Sequence, residues 1–91
     1  MADTFYLYTF ESTHGAISTE KLLKPVGCTV MPVPRNISTS CGIAVRVEDK
    51  KFEESKKVFL DRTELAPEEY HVYHIEEDKS IKRFDYEPVT L

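Results

Sequence analysis

Apolar side chains fall into short clusters along this chain, and the spacing within each cluster predicts an element. Phe5-Tyr6-Leu7-Tyr8-Thr9-Phe10 is almost continuously apolar and aromatic, the pattern of a central strand buried on both faces. Glu11-Ser12-Thr13 breaks that run, with Ser12 or Thr13 suited to cap a helix. Ala16, Ile17, Leu22 and Leu23 recur at roughly helical spacing, and Pro25 and Gly27 end the helix. Residues 28–33 predict a second strand, and Pro32 places it at a sheet edge. Residues 34–40 are polar and turn-prone. Residues 42–47 are again almost wholly apolar, a second central strand. Asp49 opens a second helix with Phe52, Val58 and Phe59 on its buried side and a charged face opposite; Pro67 bounds it. Residues 70–75 alternate as a strand, Glu77-Asp78-Lys79-Ser80 forms a turn, and residues 81–86 return as a short strand.

The resulting order is β-α-β-β-α-β followed by a tail, the split βαβ or ferredoxin-like arrangement of an α+β domain. With right-handed crossovers it gives an antiparallel sheet of order 4-1-3-2 with both helices on one face. The first and third strands are then central, as their apolar runs require. The expected organisation is one domain over residues 1–91, with a core of about 4–76 and a C-terminal extension over 77–91.

Composition narrows the class. An apolar share of 41% and a charged share of 31% fit a small globular core. No apolar run approaches the roughly 20 residues that span a bilayer, and the first residues lack a leader's basic and apolar segments. The cytoplasm is the expected compartment, without membrane attachment. The net charge of −4 is unevenly spread: residues 1–47 hold four basic against three acidic side chains, residues 48–91 eight against thirteen. Without a concentrated basic face, nucleic acid is not an expected partner. The exposed second strand leaves a homodimer open.

Candidate chemistry centres on Cys41. In the antiparallel sheet, the start of the third strand lies beside the end of the first, so Cys41 should meet the first turn of the first helix, near Ser12, Thr13 and His14. A helix N-terminus offers unpaired N–H groups and partial positive charge, a setting that favours a thiolate. Arg35, Ser38 and Ser40 add charge and hydroxyls, and Gly42 allows close backbone approach. Cys28 falls near Val47, at the opposite end of the third strand. Six strand residues span about 20 Å, well beyond the roughly 7 Å that a disulfide tolerates between Cα atoms. Cys28 reads as a small apolar packing residue. Taken by itself, a lone cysteine opening an apolar strand is also most often packing.

A resemblance adds to this reading. Phe10-Glu11-Ser12-Thr13-His14, then Glu20-Lys21-Leu22-Leu23-Lys24, then Pro32-Val33-Pro34-Arg35-Asn36-Ile37-Ser38-Thr39-Ser40-Cys41-Gly42-Ile43-Ala44-Val45-Arg46 is similar to the small bacterial family called putative selenium/sulfur carrier protein-like. The match covers about residues 5–75. It departs from the family at Pro25, where the helix usually continues, and in a longer tail after Glu76. The resemblance implies that Cys41 carries sulfur or selenium as a persulfide or selenosulfide. Ser12, Thr13 and Arg35 would hold the anion and His14 would move a proton. The implied partners are a cysteine desulfurase or other donor and an acceptor protein; no cofactor or metal is implied. Such a carrier needs a nucleophilic thiolate and enough exposure for both partners to reach it.

Other readings stay beside this one. Ferredoxin-like domains also serve as regulatory or protein-docking modules, with Cys41 then incidental, and a thiol redox sensor is a third reading. The C-x4-R spacing of Cys41 and Arg46 matches rhodanese-type loops, but on a strand the two residues face opposite ways. His71 and His74 are likewise on opposite faces, which gives a zinc site little support.

Overall fold

The computed structural model describes residues 2–34, 37 and 41–91. The order is β1 (Ala2–Phe10), α1 (Thr13–Leu23), β2 (Thr29–Pro32), β3 (Ile43–Glu48), a 3-10 turn (Asp49–Lys51), α2 (Phe52–Arg62), a second 3-10 turn (Pro67–Glu69), β4 (Tyr70–Asp78) and β5 (Arg83–Val89). The fold is α+β: one antiparallel five-stranded sheet and two α-helices.

The strands stand in the order β2-β3-β1-β4-β5. The sheet differs from the expected 4-1-3-2 order by β5, which stands beside β4 where a short strand or tail was expected. The tail is a seven-residue β5 that pairs along β4 from Arg83 opposite Asp78 to Val89 opposite Val72. Asp78 Oδ1 shapes the turn by accepting from the Ser80 N–H at 3.0 Å and its hydroxyl at 2.6 Å, and Lys82 takes the positive φ of 54°. The sequence reading shortened this strand because Asp85, Glu87 and Pro88 interrupt the apolar pattern. An edge strand tolerates both charge and proline.

Register explains why β1 is apolar on both sides. Phe5 faces Glu48 on β3 and Ile75 on β4, and Thr9 faces Ala44 and His71. Tyr8 and Phe10 pack with Val45, Val47 and Val72 against Ala16 and Leu23 of α1 and Phe52 and Phe59 of α2. Phe5 and Leu7 form a second cluster with Ile37, Ala44 and Ile75 on the other face. Both helices therefore cover one face, and Ile37, from the segment between β2 and β3, helps to close the opposite one.

Local signals set the helix ends. Ser12 is the N-cap of α1, and its Oγ accepts from the Gly15 N–H at 3.2 Å. At the other end the N–H groups of Val26 and Gly27 bond to the Leu23 carbonyl at 3.0 and 2.9 Å. Gly27 takes φ +108°, which glycine adopts without a Cβ penalty. Between the helices and the sheet, the Tyr8 hydroxyl and Ser55 Oγ lie 3.0 Å apart, and Ser55 also donates to the Phe52 carbonyl at 2.8 Å.

Candidate functional site

The pairing Thr9–Ala44 brings the end of β1 beside the start of β3, so the segment leaving β1 for α1 passes next to the segment entering β3. Val33 N–H bonds to the Gly42 carbonyl at 3.0 Å and closes the base of the β2–β3 connection. Cys41 sits just inside that base, two residues before β3 begins, and its side chain packs in the helix-side cluster with Tyr8, Phe10 and Ala16.

Among the described residues, three polar groups meet the Cys41 sulfur. The Thr13 hydroxyl is 3.8 Å from Sγ, and either group can donate. The Ile43 N–H donates to Sγ at 3.5 Å, and the Ile43 carbonyl accepts from the thiol at 3.6 Å. Because Ser12 caps the helix, Thr13 is left to face the sulfur. The sequence allowed either residue as the cap, and the structure divides the two roles between them.

Several expectations change at this point. Cys41 is 3% exposed, so the thiol is enclosed rather than presented at the surface. Among the described residues nothing lies within 4 Å of a Cβ placed at Gly42, apart from its chain neighbours, and its φ lies outside the positive range. Among the described residues no hydrogen bond joins His14 to the sulfur; His14 lines a surface groove with Ile17, Lys21 and Arg62. Arg35, Ser38 and Ser40 lie outside the described residues.

Ile43 was missed as a site residue because it acts through its backbone, which no side-chain pattern reports. Ile37 carried a signal that went unused, being apolar within an otherwise polar loop. It is 5% exposed and packs with Phe5, Leu7, Ala44 and Ile75 on the sheet face opposite Cys41.

The other candidate groups separate as the alternation of strands requires. The Arg46 guanidinium lies 4.1 Å from the Phe5 ring centroid, on the face away from Cys41. His71 pairs with Glu11 at 3.4 Å and His74 with Asp49 at 3.3 Å. Among the described residues no group of three His, Cys, Asp or Glu side chains could hold a metal ion. Among the same residues, no helix is long and apolar enough to cross a membrane.

Cys28 adjoins the far end of β3, since Thr29 pairs with Arg46. Its thiol donates to the Glu20 carbonyl at 3.6 Å. Burial, then the Glu20 carboxylate, push that thiol up from its ordinary range, and Lys24 partly offsets them. Both cysteines are free.

The model of a family described as putative Se/S carrier protein-like matches residues 5–72, well over half of the chain. No curated protein and no solved structure matches it.

Proposed function

Because this chain belongs to the putative Se/S carrier protein-like family, we propose that it carries sulfur or selenium on Cys41. The observation that supports this most directly is the placing of the Cys41 sulfur against the Thr13 hydroxyl at the start of α1 and the Ile43 N–H at the start of β3. Both donors belong to segments that the family model covers.

In the loading step, the Cys41 sulfur attacks the terminal sulfur of a donor persulfide, R–S–SH. The donor S–S bond breaks, a new S–S bond forms at Cys41, and the donor departs as R–SH after taking the proton that Cys41 gives up. No net oxidation occurs. Delivery to an acceptor thiol is the same exchange in reverse, and selenium in the terminal position follows the same balance. The Thr13 hydroxyl and the Ile43 N–H hold the sulfur. With Cys41 enclosed, a donor must displace part of the surrounding chain to reach the thiol.

We read the first four strands and two helices as a ferredoxin-like arrangement extended by β5, and the carrier as a bacterial cytoplasmic protein served by a cysteine desulfurase and an acceptor. Incubation with a cysteine desulfurase and cysteine, followed by intact and peptide mass spectrometry, tests this reading. The expected result is a +32 Da adduct on Cys41, reversed by a reducing thiol and absent from Cys41→Ser. Thr13→Val should lower the loaded fraction severalfold. Oxidation by peroxide without an adduct would transfer the reading to a redox sensor. Inertness toward both reagents would leave Cys41 as a packing residue in a docking module.

A further inference from the structure

A groove of about 420 Å³ runs along the outer side of α1 to the segment that follows α2, lined by His14, Ile17, Lys21, Leu22, Arg62 and Glu64. It begins at His14, the residue after Thr13, and so borders the turn that holds the Cys41 sulfur. Ile17 is 48% exposed within it, an apolar side chain left facing solvent between basic neighbours.

The electrostatics of the groove run against those of the chain. The net charge is −4, yet Lys21 and Arg62 stand here with no ion-pair partner among the described residues, Glu64 included. Lys50, Lys56 and Arg83 each have a carboxylate beside them, whereas the other described lysines and arginines, like these two, do not; what sets the groove apart is that its two cations flank an exposed aliphatic side chain. Two unneutralised cations around an exposed aliphatic side chain complement a segment that carries carboxylates around an apolar anchor. A polyanion such as nucleic acid fits less well, because the groove floor is aliphatic and the rest of the molecule is acidic.

We propose that this groove docks an acidic, apolar-anchored segment of the protein that delivers sulfur to Cys41, a refinement that rests on the carrier reading. Docking here holds the donor beside α1, whose first turn carries the Thr13 hydroxyl that meets the Cys41 sulfur. Lys21, Arg62 and Ile17 confer recognition of the protein donor without taking part in the exchange itself.

The test measures binding of a purified cysteine desulfurase to the full chain by biolayer interferometry, alongside loading of Cys41 by mass spectrometry. The variant Lys21→Glu/Arg62→Glu is compared with Lys79→Glu/Lys82→Glu, which makes the same net charge change at the β4–β5 turn. The groove variant should weaken binding about tenfold or more, and the control should stay within about twofold. Binding should survive Cys41→Ser and weaken as salt rises. Loading by the desulfurase should fall in the groove variant, whereas loading by glutathione persulfide, which needs no docking surface, should not. Equal binding by wild type and groove variant, or no binding by wild type, overturns the proposal. If desulfurase loads wild type and groove variant equally, the groove is discarded and the carrier stands. Binding that depends on Lys21 and Arg62 without any adduct on Cys41 discards the carrier and keeps the docking surface.

Discussion

The two cysteines show how placement divides one residue type into two roles. The Cys41 sulfur meets the Thr13 hydroxyl and the Ile43 N–H, so a charge on a carried atom has donors near it. Cys28 donates to a carbonyl beside the Glu20 carboxylate, and burial and that charge both favour its protonated form. Alkylation of Cys28 should therefore be slow at pH 7 and accelerate only above the ordinary thiol range. Glu20→Gln should shift that rise toward lower pH, because the second-largest cause of the raised value is removed. Mass-spectrometric rates for the Cys28 peptide across pH 7–10 check this; a rate already on its plateau at pH 7 would contradict it. Gly42 belongs to the same scale. The sequence suggested close backbone approach, but among the described residues nothing lies within 4 Å of a Cβ placed there, its chain neighbours aside.

At the level of elements, helix α1 carries the site because both of its ends are specified locally. Ser12 satisfies one of the N–H groups at its start, and Gly27 reverses the chain at its end so that β2 can run beside β3. Gly27→Ala forces a Cβ into the positive-φ region and toward Lys51 Nζ, which lies 2.6 Å from the ideal Cβ position. The lysine end can move, but the backbone cannot avoid its conformation. The expected loss is about 1–2 kcal/mol of folding stability, read from the urea midpoint. Both ends were legible in the sequence, since Ser-Thr before an apolar run and Pro-x-Gly after it are short-range signals. The identity of the cap was not, because Ser12 and Thr13 are equally able to cap. The full length of β5 was hidden by charged residues and proline that an edge strand can accept.

Across the whole molecule, β1 joins the two halves of the sheet and places Tyr8 between the sheet and both helices. Burial pushes the Tyr8 hydroxyl up to about 12, although its bond with Ser55 pulls the other way. A tyrosine with a raised folded value adds stability that is fully present below its unfolded value near 10. That stability is lost as pH rises through 10 toward 12. The window corresponds to an upper limit of about 2–3 kcal/mol. The protein should thus lose stability progressively between about pH 10 and pH 12. In Tyr8→Phe this part of the alkaline loss should be absent, at the cost of an unpaired but still Phe52-bonded Ser55 hydroxyl. Urea titrations at pH 8, 10 and 11.5 separate the two chains; parallel curves would rule out Tyr8 as the source.

By itself, the sequence determined the element order, the centrality of β1 and β3 and the meeting of Cys41 with the start of α1. Apolar period and connection order are local properties, and an antiparallel pairing carries them into position without further information. Only the tertiary structure decided that the thiol is enclosed, that His14 lines a groove with Arg62, and that Ile37 packs on the opposite face. Each of these depends on which side chain fills the volume between elements distant in sequence, and that volume does not exist until the sheet and helices have packed.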